Sequence, residues 1–133
     1  MKLSELATTP EIGIIDVKNT GSVSTEFVSM TVNANCDIGD YLLTDTTYNE
    51  LLQPSNKHRH VYFFPPHEVK KGDIVFLYSY AGENSVGKGG AGTYHVHRFY
   101  WNLRESVWNK TGDLAYLIKA PREQRIVHKI PPA

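Results

Sequence analysis

The sequence is poor in cysteine, has no excess of charge of either sign and lacks long apolar runs. Cys36 is the single cysteine among 133 residues, so an intrachain disulfide is excluded and packing must stabilise the fold. Fourteen basic and fourteen acidic residues give a formal charge of zero, which offers nucleic acid no strong nonspecific attraction. Structural stability and recognition must therefore come from side-chain packing and local surfaces.

Membrane segments and a secretory leader are also missing from the sequence pattern. Glu5 lies where a secretory signal would be apolar, and no later run is long enough to span a bilayer. These features predict a soluble chain without membrane insertion, and together with the unpaired cysteine they favour the cytoplasm.

Helical periodicity is almost absent, since the best candidate, Leu3–Ala7, is followed closely by Pro10. Short apolar runs separated by Gly, Pro, Asn and Asp indicate strands instead. We predict one all-β domain, an antiparallel sandwich of roughly seven to nine strands, with helix nearly absent. The strand candidates are 12–17, 27–32, 41–43, 61–64, 74–80, 94–101, 114–118 and 126–130.

Four sequence motifs occur in an order that is typical of one protein family. They are Glu26-Phe27-Val28 before an alternating strand, the turn and strand 36–45, the Pro-containing turn and Gly-acid step of 63–75, and the Trp-Asn and Gly-Asp pattern of 108–117. Together they resemble the lamin tail domain over residues 12 to 119. The chain departs from many members at Asp40-Tyr41, where those members have Gly-Trp.

The resemblance implies an immunoglobulin-like sandwich of the bacterial free-standing or modular type, with a binding or accessory role. Under this interpretation residues 1–11 are an N-terminal extension, residues 12–120 are the sandwich, and residues 121–133 are a C-terminal strand or tail.

A glycine-rich segment, 82–92, nearly spells a phosphate-binding loop. Gly89 stands where that loop needs the Ser or Thr that holds magnesium, and the glycines after it disfavour the helix that would face phosphate. We predict a mobile connection that binds no nucleotide.

Two histidine pairs, His58/His60 and His95/His97, each place both imidazoles on one face of an extended backbone. Such pairs can bind zinc, which makes a metal-dependent enzyme one alternative function. Strand histidines are more often exposed or hydrogen-bonded, and no nucleophile and base are tied together by a motif. We therefore predict no catalytic residue, no metal and no other cofactor, and we expect Cys36 to be inert.

Binding of another protein, through loops or an exposed strand edge, is the function that these features favour. The loops 52–59 and 82–94 are the candidates for contact. A nucleic-acid-binding module is a second alternative, in which basic side chains contact the backbone and a tyrosine stacks on bases. The candidate surface residues are Lys57, Arg59, Tyr62, Tyr94, Arg98, Arg104 and Lys110.

Two further sets of residues are interpreted as structural. The turn residues Asn109, Gly112 and Asp113 can satisfy backbone amides and supply a positive φ. Strand position predicts that six side chains are largely buried, namely Phe27, Val75, Leu77, Trp108, Leu117 and Ile118.

If Trp108 packs in the core, Trp108→Ala removes the largest of these side chains and leaves a cavity. The free energy of unfolding should fall by about 3–5 kcal/mol, measured by denaturant titration. A loss below about 1 kcal/mol with an indole that is readily quenched would contradict this placement.

Overall fold

Ten β-strands and no α-helix occur in the part of the chain that the computed structural model describes, residues 9–47, 51, 59–108 and 113–133. Within those residues no helix is long and apolar enough to cross a membrane. The strands are β1 (Ile12–Lys18), β2 (Phe27–Val32), β3 (Cys36–Asp37), β4 (Tyr41–Thr47), β5 (Val61–Phe63), β6 (Glu68–Val69), β7 (Ile74–Tyr78), β8 (Ser85–Gly89), β9 (Tyr94–Tyr100) and β10 (Asp113–Lys119).

The strands form a β-sandwich, which confirms the predicted all-β class. One layer is a five-stranded sheet in the order β1-β2-β7-β9-β8, and the other is a three-stranded sheet in the order β10-β4-β5. The two-residue strands β3 and β6 pair separately. The prediction of antiparallel pairing is wrong at one place, because β9 lies between β7 and β8 and runs parallel to β7.

The core lies between the two sheets and follows the period of two that strands impose. Met30 on β2, Leu77 on β7 and Leu43 on β4 are buried completely or almost so. Val75, Leu77 and Trp108 are buried as predicted. Apolar side chains that face inward from both sheets thus supply most of the hydrophobic stabilisation.

Three of the six predicted core residues are only half-buried. Phe27 and Ile118 point away from the core because the residues beside them in their strands point into it. Leu117 faces inward, but it lines an open pocket between β1 and β10. These three side chains are thus partly rather than fully buried, and of the three Leu117 packs against the core.

The glycine-rich segment is a strand rather than an unstructured connection, which corrects the sequence interpretation. Residues 85–89 form β8 and pair antiparallel with β9. A Cβ atom at Gly82 would lie 2.4 Å from the Tyr100 ring, and one at Gly89 would lie 2.4 Å from the Tyr94 ring. The glycines are there because aromatic rings of the neighbouring strand lie against their backbone.

The C-terminal segment, residues 121–133, contains a single 3-10 turn and no strand, so the predicted strand 126–130 is wrong. Arg125 fixes the start of this segment by donating to the carbonyl oxygens of Ala120 at 2.7 Å and Gly39 at 3.0 Å. Beyond it Ile126 and Ile130 are almost fully exposed, and no described residue pairs with their backbone.

Gly82→Ala should lower the free energy of unfolding by about 1–3 kcal/mol, because the Tyr100 ring has to move away from the new methyl group. Gly87→Ala is the matched control, since its nearest neighbour would be Arg98 Nη1 at 3.5 Å, an ordinary contact. The control should stay within about 0.5 kcal/mol of the parent or exceed it in denaturant titration. Equal effects of the two variants would argue against the ring contact.

Candidate recognition surface

A row of aromatic side chains crosses the outer face of the five-stranded sheet, the face that points away from the core. Phe27 comes from β2, Phe76 and Tyr78 come from β7, and Tyr100 comes from β9. They share this face because strand neighbours alternate, and the residues between them are the ones that fill the core. We call these four residues the aromatic row.

The rings of the aromatic row pack against one another. Tyr78 and Tyr100 are stacked, with centroids 5.1 Å apart and planes 19° from parallel. Phe27 meets Phe76 edge to face at 5.5 Å and lies 5.7 Å from Tyr78. Each such pair contributes about 0.5–1.5 kcal/mol beyond the area that it buries. The aromatic row is thus a rigid and partly exposed surface.

Charged side chains flank the aromatic row. Arg98 on β9 pairs in register with Phe76 on one side and with Ser85 on the other. Lys18 lies opposite Phe27 at the β1 edge, and Asp16 follows at the next outward position of β1. The face therefore presents apolar rings with cations and an acid at its border, close to charge balance.

Only part of the surface predicted from the sequence coincides with this face. Arg98 lies on it, whereas Tyr62 lies between the sheets, edge to face with Phe64 at 4.9 Å and Trp101 at 5.8 Å. Burial raises the pKa of Tyr62, which agrees with this position. Tyr62 is thus partly buried, packs against the core and lies away from the aromatic row.

The other predicted surface residues do not form one surface with Arg98. Tyr94 lies over Gly89, and Arg104 lines a small pocket with His60 and Glu105. Arg59 lies two residues before β5 of the other sheet, and its amide donates to Asp45 at 3.1 Å. Lys57 and Lys110 are outside the described residues.

His97 is buried and belongs to a hydrogen-bonded series of side chains that the sequence did not reveal. Its Nε2 lies 2.8 Å from Asp73 Oδ2, and its Nδ1 lies 2.8 Å from Nε2 of His67. Asp73 also accepts hydrogen bonds from the backbone amides of His95 and Lys70, each at 3.0 Å. This series joins β9 to the turn before β6 and to the start of β7.

The charges in this series follow from its hydrogen bonds. Burial alone raises the pKa of Asp73, but hydrogen bonds from His97, His95 and Lys70 outweigh it and lower that pKa below its usual range. A carboxylate at Asp73 accepts from Nε2 of His97, and the tautomers of the two rings set which of them donates between His97 Nδ1 and His67 Nε2. Burial, together with the nearby His97, lowers the pKa of His67 and favours its neutral form.

Two more buried carboxylates hold the backbone in the same way. Asp45 accepts a hydrogen bond from the amide of His60 at 2.8 Å, and its other carboxylate oxygen lies 2.9 Å from Nδ1 of the same residue. Glu26 accepts the amide of Val107 at 2.8 Å and the hydroxyl groups of Ser79 and Ser106. Because unpaired buried amides are costly, these carboxylates fix loops that lie far from them in sequence.

The histidine pairs do not assemble into a metal site in the described residues, where no three His, Cys, Asp or Glu side chains lie close enough together to hold an ion. His95 is exposed, and its ring centroid lies 6.3 Å from that of His97, whose two nitrogens already have partners. His60 is held by Asp45, and His58 is outside the described residues. The structure thus gives no support to the metal-dependent alternative.

Cys36 is half-buried on β3, and burial raises the pKa of its thiol to about 11, with Glu11 contributing in the same direction. A thiol with that pKa is protonated near neutral pH and is a poor nucleophile. This agrees with the expectation that Cys36 is inert.

Most of the predicted structural turn, Asn109 to Asp113, lies outside the described residues. Asn109 and Gly112 are outside the described residues, and of Asp113 only the backbone is described, as the first residue of β10.

Sequence reasoning missed the aromatic row, although a signal for it exists. From Ile74 to Tyr78 every residue is apolar or aromatic, so both faces of β7 had to be covered or functional. Asp73 was interpreted only as part of a turn, since nothing in the sequence places it beside His97.

A comparison with protein-family models and a comparison with curated proteins found no match.

The low pKa of His67 predicts a specific pH dependence of stability. The unfolded chain binds a proton near the ordinary histidine pKa of about 6.5, whereas the folded chain resists protonation until lower pH. The free energy of unfolding should therefore fall as pH is lowered below about 7, by at most about 1.4 kcal/mol per pH unit for this group. His67→Gln should flatten this slope.

Urea titrations at several pH values between about 5 and 8 measure the slope. His128→Gln, at an exposed position of the C-terminal segment, is the control and should leave the slope unchanged. An identical slope in His67→Gln and in the parent would contradict the prediction.

Proposed function

We propose that this chain is a noncatalytic module that binds another protein through the aromatic row and Arg98. The observation that carries the proposal is the row itself, four aromatic side chains on the outward face of three adjoining strands. Tyrosine, other aromatic residues and arginine are enriched in protein interfaces and in the few residues that dominate binding free energy. A rigid sheet holds them in place before a partner arrives.

The packing of the rings favours a protein over a sugar or a nucleobase as the ligand. Stacking of a base or a sugar requires an exposed ring face. In the aromatic row Tyr100 is covered by Tyr78 on one side and by the backbone at Gly82 on the other. Edges of rings remain for contact, and these fit the mixed apolar and polar surface of a folded protein.

The charges argue against nucleic acid as the main partner. The face has Arg98 and Lys18 as bases and Asp16 as an acid, and the whole chain has a formal charge of zero. Binding to a phosphate backbone needs several cations along one surface. The other basic candidates, Arg59 and Arg104, lie outside this face.

The noncatalytic part of the proposal is supported by how the ionisable residues are used. The carboxylates of Glu26, Asp45 and Asp73 accept backbone amides, so their lone pairs serve the fold. The chain of His67, His97 and Asp73 does not include a serine, threonine or cysteine among the described residues. The resemblance to the lamin tail domain supports the same proposal, because it implies a binding or accessory role on an immunoglobulin-like sandwich.

The proposal is tested by measuring dissociation constants with row variants. Proteins of the source cells that the immobilised chain captures are identified, and each purified protein is then titrated against the parent, Tyr78→Ser and Arg98→Ala. We expect both variants to weaken binding at least about tenfold, because aromatic and arginine anchors carry most of the binding free energy. Circular dichroism confirms that each variant is folded.

Tyr116→Ser is the control, since it removes an exposed tyrosine from the other sheet and should not change the dissociation constant. Partners bound equally well by both row variants would contradict the proposal.

A single-stranded oligonucleotide is titrated in parallel at several salt concentrations. Binding that falls steeply with salt and is lost in Arg98→Ala would favour the nucleic-acid alternative instead.

A further inference from the structure

The edges of the two sheets differ in how open they are to another strand. β1 contains a register shift between Ile14 and Asp16, and β8 carries Lys88 between two glycines. Bulges, glycines and lysines are the usual features that prevent an edge from pairing with a second chain. The β10 edge lies beside β1, where Lys119 and Glu11 form a salt bridge of 2.9 Å.

The fourth edge, β5, has no bulge, glycine or lysine, although it is short, with three residues, and Pro65 and Pro66 follow it closely. Its sequence is Val61-Tyr62-Phe63, without charge, glycine or bulge, and in the described residues it pairs only with β4. The amide of Phe64 donates to Tyr41 at 3.2 Å, and the amide of Asp45 donates to His60 at 3.3 Å.

These two bonds fix which backbone groups of β5 are used. In an antiparallel pair the hydrogen-bonded positions alternate, so residues 60, 62 and 64 face β4. The N–H and C=O groups of Val61 and Phe63 therefore point away from β4, along the free edge. No described backbone group bonds to them.

Exposed apolar side chains are frequent on this sheet and in the segment that follows it. In the described residues ten large apolar side chains are exposed, and six of them lie on β5, on β10 or after β10, namely Val61, Phe63, Tyr116, Ile126, Val127 and Ile130. Phe63 is 55% exposed and Val61 is 42% exposed. Leu42 and Ile118 continue the same outer face of the three-stranded sheet. Apolar patches of this kind mark interfaces.

We propose that two copies of this chain associate by antiparallel pairing of β5 with β5 about a twofold axis at Tyr62. In that register Val61 lies opposite Phe63 of the second copy, and both are hydrogen-bonding positions, so each pair exchanges both of its backbone bonds. The two three-stranded sheets become one six-stranded sheet in the order β10-β4-β5-β5-β4-β10.

The side chains are complementary in the same register. Val61 and Phe63 project from the outer face, so each copy places a β-branched side chain beside an aromatic one, a favourable cross-strand pair. A twofold interface needs such self-complementarity, and the Val-Tyr-Phe order supplies it. Because the formal charge is zero, two copies do not repel one another at long range.

The C-terminal segment contacts this edge through one side chain. The Arg125 guanidinium sits over the Phe63 ring at 5.2 Å from the centroid. Ile126, Val127 and Ile130, which follow Arg125, are exposed. This interface uses the three-stranded sheet, and so it is independent of the aromatic row.

Sedimentation equilibrium of the full chain over a range of concentrations tests the proposal. The parent should shift from its monomer mass of 15.0 kDa toward twice that value as concentration rises. Val61→Pro removes an N–H that is used only between copies, and so it should weaken self-association at least about tenfold without loss of a bond to β4. Phe63→Lys should weaken it similarly by placing a charge at the edge.

Val86→Lys is the matched control, because Val86 is an exposed valine on β8, at the edge of the other sheet. It should leave the dissociation constant of the dimer unchanged. If Val61→Pro is unfolded by circular dichroism, Phe63→Lys alone decides. A parent that stays monomeric to about millimolar concentration overturns the proposal, and so does a dimer that persists in Phe63→Lys.

Discussion

Hydrogen bonds from backbone amides to buried carboxylates are the interaction on which the rest of this sandwich depends. Glu26 joins the end of the loop after β9 to the start of β2, Asp73 joins β9 to β7, and Asp45 joins β4 to the start of β5. In each case a carboxylate in a nearly dry position accepts from amides that would otherwise have no partner. Removing one such carboxylate would leave several donors unpaired at once. The stability lost would then exceed that of one ordinary hydrogen bond.

This use of the acids explains why the inside and the outside of the molecule have different chemistry. The residue types that could catalyse, namely His97, Asp73 and Glu26, are committed to one another or to the backbone. The outer surfaces are instead built from aromatic and aliphatic side chains on rigid strands, Tyr78 and Phe63 among them. Both properties are compatible with the proposed role in recognition, since a surface held by fixed strands loses little entropy when it binds.

Strands whose residues alternate in hydrophobicity could be predicted from the sequence. Strands whose residue types are set by contacts with a neighbouring strand could not. β2 and β7 were found because Val28, Met30 and Leu77 recur with the period of a strand. β8 was missed because Gly89 is required by the Tyr94 ring of β9, a tertiary contact that no local pattern reports. Of the candidate surface, Arg98 was identified from its charge, whereas Tyr78 was assigned only to a strand. Whether an aromatic residue faces the core depends on which side of the strand the opposite sheet lies.

The position of β8 also bears on how the protein avoids aggregation. Strand β9, which lies next to β8, would be a long edge of seven residues if β8 were absent. β8 covers that edge and offers in its place a strand interrupted by Gly87 and Gly89 and carrying Lys88. A strand of that kind is a poor template for a further chain. The segment that looks most dispensable in the sequence thus covers an edge, and a deletion that shortens it would leave the backbone groups of β9 open to pairing with another chain.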